Sequence, residues 1–140
     1  MTSILKKAIL LSICCLILCS AVSCSGGISG SEAKETVANF LEAVENGDFE
    51  KAEELLHPDR PVHLEKFFDN VESKEGLDFQ AGIEIEKYTG FSSSYYDSTV
   101  DGSTYGLTMK ATVGGKNTTI FVELVKNDNG YGIYNFEIDT

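Results

Sequence analysis

Between residues 33 and 44 the apolar positions fall at Ala33, Val37, Phe40, Leu41 and Val44, the three-to-four spacing of one helix face. Ser31 suits the N-cap of this helix. Asn46-Gly47 stops it, with Gly47 able to take the left-handed conformation found just past a helix end. Asp48 then caps a second helix with Phe49, Ala52, Leu55 and Leu56 on one face, and Pro58 ends it. A third is expected to open at Asp59 or Arg60 with Pro61 in its first turn, to carry Leu64, Phe67, Phe68 and Val71 on one side, and to close at Gly76.

After Gly76 the period shortens to two, the signature of strands. Leu77, Phe79, Ala81, Ile83 and Ile85 alternate with polar residues and Gly82, and the polar, aromatic stretch YTGFSSSYYDST reads as a strand end plus a loop. Tyr105, Leu107, Met109, Ala111 and Val113 alternate next, up to the hairpin signal Gly114-Gly115. A strand over 116–126, the sequence NDNG and a last strand over 131–139 complete the chain. A two-residue loop at Gly114-Gly115 sets Met109 opposite Ile120, Leu107 opposite Val122 and Tyr105 opposite Leu124. A three-residue loop at Asp128-Asn129-Gly130 sets Leu124 opposite Tyr134, Val122 opposite Phe136 and Ile120 opposite Ile138. Both turns select one apolar face, and a one-residue slip would invert it. The expected fold is α+β: three N-terminal helices packed on one face of a four-stranded antiparallel meander sheet.

The first residues have another pattern. MTSILKK is basic, Ala8–Cys19 is apolar, and SAVSC supplies small residues up to Cys24, the layout of an export signal. All four cysteines lie at or before Cys24, so the segment after it has no disulfide and no thiolate metal site. Loss of the first 23 residues would remove two bases and no acid, leaving 9 bases against 22 acids. So acidic a surface repels phosphates, which argues against nucleic acid and anionic headgroups as direct partners.

The run Ala21-Val22-Ser23-Cys24 resembles the lipobox of bacterial lipoproteins: an aliphatic residue, two mostly small residues and the cysteine. The resemblance implies cleavage between Ser23 and Cys24, with diacylglycerol then carried on the Cys24 sulfur. The protein would be anchored to a bacterial membrane through Cys24 and face the extracytoplasmic side. Residues 1–23 would form the signal, residues 24–30 the lipidated cysteine and a Gly/Ser linker, and residues 31–140 one domain. An uncleaved membrane helix and ordinary secretion are the alternatives, and the apolar run is short of the ~20 residues that a span needs.

ETVANFLEAVENGDFEKAEELLHPD is similar to the opening of small bacterial lipoproteins of the nuclear transport factor two-like superfamily, and VELVKNDNGYGIYNFEID to their closing hairpin. The family usually has a tryptophan near Ile133 or Tyr134, and this chain has none. The resemblance implies a cystatin-like cone between helices and sheet. Its members include isomerases, dehydratases and binding modules, so the fold does not choose a function.

The expected inward positions of the sheet carry no carboxylate, imidazole or amine. Only the hydroxyls of Tyr105 and Tyr134 lie among them, with Lys87 continuing the inward phase of the first strand. This suggests a core or an apolar pocket rather than an acid–base pair. No catalytic residue, cofactor or metal site is therefore assigned. His57 and His63 flank PDRPV and could, with Asp59, make a polar site near the second helix junction, though surface turn residues are the first reading. Glu42, Glu45, Glu50, Glu53 and Glu54 are expected in solvent. GGKNT lacks the first glycine and the C-terminal helix of a phosphate loop. On the outer sheet face Phe121, Val125 and Ile133 point away from the helices, with Val125 opposite Ile133, and form a candidate interface. Three readings result: a non-enzymatic binding module for a small apolar ligand or protein partner, an assembly protein acting through the outer face as a homodimer or with another protein, and an isomerase- or hydratase-type enzyme.

Overall fold

The computed structural model describes residues 27–96 and 102–140. The export signal, the Ser23-Cys24 junction and the Cys24 sulfur lie outside the described residues. Three helices precede a four-stranded antiparallel sheet: α1 (Gly30–Glu45), α2 (Phe49–Glu53), α3 (Leu64–Glu75), β1 (Ile83–Tyr96), β2 (Gly102–Val113), β3 (Lys116–Asn127) and β4 (Gly130–Asp139). The strands lie in sequence order, as the meander expected from the turns requires. Among the described residues no helix is long and apolar enough to cross a membrane.

Helix α1 begins slightly earlier than the sequence suggested. Ser29 caps it, its Oγ accepting the Glu32 N–H at 3.2 Å. The Ser29 carbonyl accepts from Ala33 N–H, so the cap and the first helical bond come from the same residue. Ala33, Val37, Phe40, Leu41 and Val44 are all buried, as their spacing predicts. Gly47 turns the chain at φ 70, and the Asp48 carboxylate accepts from Lys51 N–H at 3.2 Å to start α2.

The third helix is the first correction. It starts at Leu64, not at Asp59 or Arg60. The Asp59 carboxylate is engaged elsewhere and cannot cap it. Glu53, reaching from the end of α2, accepts the Leu64 N–H at 2.9 Å and places a negative charge at the positive helix end. Gly76 closes α3 in the left-handed region at φ 63.

A second correction concerns 77–82, whose alternation suggested a strand. Leu77 and Phe79 are buried, but the segment is a loop held by acids. Asp78 Oδ1 accepts from the backbone N–H groups of Gln80 and Ala81, and Glu72 accepts from Phe79 N–H. Glu45 accepts from Ile83 N–H at 2.7 Å, where β1 starts. Glu45 and Glu53, expected in solvent, are therefore backbone caps.

Register between β2 and β3 is as expected, with Met109 opposite Ile120, Leu107 opposite Val122 and Tyr105 opposite Leu124. Between β3 and β4, Ile120 faces Ile138 and Val122 faces Phe136, but the turn holds two residues rather than three. Asn127 pairs with Gly130, and Tyr134 becomes a bulge. Leu124 therefore faces Ile133, and Val125 faces Gly132. Strand β1 contains two shifts of its own, between Ile85 and Lys87 and between Tyr88 and Gly90. The first sets Lys87 opposite Lys110 in solvent and brings Tyr88 to the inner face opposite Met109. A bulge adds a residue to one strand and inverts the facing of the residues beyond it.

The helices and the inner sheet face enclose an aromatic centre. The Phe68 ring lies 4.8 Å from Phe79, 5.2 Å from Phe67, 5.6 Å from Phe136 and 6.3 Å from Phe40, centroid to centroid. Tilted and edge-to-face contacts of this kind add about 0.5–1.5 kcal/mol per pair beyond area burial.

Candidate functional site

Leu55–His57 leaves α2 and runs beside β4. His57 N–H donates to the Ile133 carbonyl at 2.8 Å, and Ile133 N–H donates to the Leu55 carbonyl at 2.9 Å. This parallel bridge covers the β4 edge where the Tyr134 bulge begins. Gly132 permits the approach: a Cβ there would lie 2.5 Å from His57 N and Leu56 C, both backbone atoms.

His57 is 1% exposed, not the surface turn residue its context suggested. The Asp59 backbone N–H donates to Nδ1 at 3.0 Å. A backbone N–H can only donate, so Nδ1 offers its lone pair and Nε2 carries the hydrogen. Nε2–H points to Asn127 Oδ1 at 3.0 Å and the Gly130 carbonyl at 3.2 Å. In this tautomer the 3.7 Å approach of Nδ1 to Asp59 Oδ2 is not an ion pair. The Asp59 carboxylate instead accepts from Asn129 Nδ2 at 3.1 Å and Asn127 Nδ2 at 3.3 Å. The Asn129 bond is the main cause that holds its pKa below the ordinary carboxylate value, with Asn127 acting in the same direction against the opposing effect of desolvation. The segment Leu56-His57-Pro58-Asp59 thus ties the helical half to the β3–β4 hairpin.

Below this tie a cleft of about 270 Å³ opens between the start of α3 and β4. Phe40, Leu56, Leu64, Phe67, Ile133 and Phe136 form its apolar lining. Arg60, Tyr134, Asn135 and Glu137 supply its polar groups, and Val62 on its rim is 42% exposed. The bulge determines which side chains arrive here. Tyr134, expected inside the sheet, turns outward, where the Arg60 guanidinium lies 4.9 Å from its ring centroid and His57 meets it edge-on. Arg60 Nη2 donates to Asn135 Oδ1 at 3.3 Å, and Asn135 Nδ2 donates to Glu123 Oε1 at 2.8 Å. A guanidinium held over an aromatic ring, beside an apolar lining, can take a carboxylate or another acceptor attached to an apolar body.

The structure also places the other candidates. Phe121 is half-buried and would touch a Cβ added at Gly106, Val125 is fully buried, and Ile133 belongs to the main core. The expected outer triad is thus not one patch, because the bulge turns Ile133 inward. Tyr105 is half-buried against the core, and His63 precedes α3 without a side-chain capping bond. Among the described residues no group of three or more His, Cys, Asp or Glu could hold a metal ion. Period-two counting cannot register an extra residue, so neither the bulge nor the cleft was legible in the alternation of β4.

The architecture is an α+β fold with its helices N-terminal to an antiparallel four-strand sheet, compatible with the nuclear transport factor two-like fold. Compared with family models, curated proteins and solved structures, the chain has no match.

Proposed function

We propose that this protein is a membrane-anchored extracytoplasmic lipoprotein of the nuclear transport factor two-like, lumazine-binding-like kind, and that its domain is a non-enzymatic module binding a small apolar ligand. The observation that carries the binding half is the α3–β4 cleft, an apolar lining with one positioned guanidinium. A volume of about 270 Å³ lies just under the range of drug-sized sites, which favours a single ring or a short chain. A terminal carboxylate or carbonyl would meet Arg60 and Asn135 while the apolar body lies against Phe67 and Phe136. The anchor half is supported by Ala21-Val22-Ser23-Cys24 and the Gly/Ser residues after it.

The test is to purify the chain from Cys24 onward out of the native extract, dissociate it and identify small molecules by mass spectrometry. A small apolar acid or carbonyl compound should co-purify, and Arg60→Ala should weaken its rebinding roughly tenfold, the value of one charge-assisted contact. Rebinding unchanged by Arg60→Ala, and by a Phe67→Lys substitution in the lining, would remove the cleft as the site.

A further inference from the structure

One large apolar side chain lies well out of the core far from this cleft. Phe91, in the outer half of β1, is 54% exposed. It sits opposite Leu107, a buried residue of the inner sheet face. Beside it is Tyr88, ring centroids 6.0 Å apart. The Lys34 amine stands over both rings, 4.7 Å from the Tyr88 centroid and 5.0 Å from that of Phe91. Tyr88 is half-buried against the core, and that burial raises its hydroxyl pKa above the ordinary value.

The position of this cluster in the fold gives it meaning. Lys34 belongs to the first turns of α1, whose N-cap is Ser29. Ser29 is the fifth residue after Cys24, and five extended residues reach at most about 18 Å. A lipid on Cys24 would therefore hold this end of the domain against the bilayer and turn the Gly114-Gly115 end away. The chemistry of the cluster fits that location. Aromatic rings beside a lysine are the side chains that settle at a membrane–water boundary, with the ring at headgroup level and the amine at the phosphates. The net acidity of the domain opposes adsorption from solution. The tether removes that difficulty by supplying the high local concentration.

We infer that Phe91, Tyr88 and Lys34 form a phospholipid-facing surface that lies on the bilayer once the chain is anchored, orienting the domain with its cleft to the side. This rests on the lipid-anchor reading, and the experiment separates the two. The chain has no tryptophan, and Cys24 is the only cysteine from residue 24 onward. A Phe91→Trp chain beginning at Cys24, which contains every described element, is coupled through that thiol to a maleimide lipid in phosphatidylcholine vesicles. Its emission should shift to shorter wavelength and fall about twofold or more when the acyl chains are brominated, since interfacial side chains sit about 5–10 Å into the boundary. Asn117→Trp, exposed near the opposite end of the sheet, should show neither change. Lys34→Glu in the Phe91→Trp background should reduce the quenching. Equal emission of Phe91→Trp with and without coupling, or equal quenching at residues 91 and 117, would overturn the surface. Because the coupling is chemical, this result does not depend on processing in cells. The mass of the N-terminal peptide isolated from cells tests the natural lipid separately, and an unmodified Cys24 there would overturn the anchor while leaving the surface chemistry measured.

Discussion

At the scale of single residues, His57 and Asp59 show how little a residue's neighbours in sequence reveal of its role. His-Pro-Asp-Arg reads as a solvated turn, and the carboxylate is indeed accessible. The imidazole, however, is buried because the two asparagines that complete its network are some seventy residues away. His57→Ala would remove the acceptor of the Asp59 N–H and the donor to Asn127 and Gly130, and leave a void. We expect a loss of about 2–4 kcal/mol in urea unfolding. Asp59 gives a pH dependence of defined sign. Its folded carboxyl titrates below the unfolded one, chiefly through the Asn129 bond. The network therefore adds stability above the ordinary carboxylate value and loses it as pH falls through the folded value. Wild type should lose stability more steeply than Asp59→Asn on acidification below about pH 4. Parallel unfolding curves for the two over that window would show that the network contributes nothing through charge.

At the scale of elements, the parts that were legible are those whose period the backbone itself imposes. The buried face of α1 and the pairing of β2 with β3 come out of counting alone, because no residue interrupts the count. Counting fails at Glu86, Thr89 and Tyr134, where an extra residue shifts the register, and it fails at 77–82, where alternation occurs in a loop. At 77–82 and at Tyr134 the partner comes from another element. Glu45 and Glu72 hold the 77–82 loop from the helices, and the Leu55–His57 segment meets β4 where its register shifts. The candidate site inherits this difficulty, since its lining comes from α1, the α2–α3 connection, α3 and β4. Gly132 tests the connection directly. Gly132→Ala would drive a Cβ into the backbone of Leu56 and His57, which cannot rotate away as a side chain could. The bridge should open at a cost of about 1–3 kcal/mol, the usual penalty for overpacking. Hydrogen exchange at the His57 and Ile133 amides should accelerate far more than at Leu107 or Ile120. Uniform acceleration across the sheet would mean that the segment is not a separate clamp.

For the whole molecule, the proposed address differs in kind from the cleft, and the reason is physical. A signal read by membrane machinery is read as a linear segment, so in the proposed address the order and size of Ala21-Val22-Ser23-Cys24 would carry the content without any folding. A ligand cleft has no such linear form. The address makes a prediction that the folded domain does not influence. Two or more acyl chains, each methylene worth about 0.8 kcal/mol, hold a protein on a bilayer where a single chain does so only marginally. Cys24→Ser removes the sulfur that would carry diacylglycerol and leaves every described contact of the domain in place. The wild-type protein should partition into the detergent-rich phase of a cloud-point extraction with an N-terminal peptide heavier than its sequence mass. Cys24→Ser should retain residues 1–23 and show no added mass. Wild type found in the aqueous phase with an unmodified Cys24 would reject the anchor. A Cys24→Ser protein that is cleaved and acylated like wild type would place the attachment on another residue.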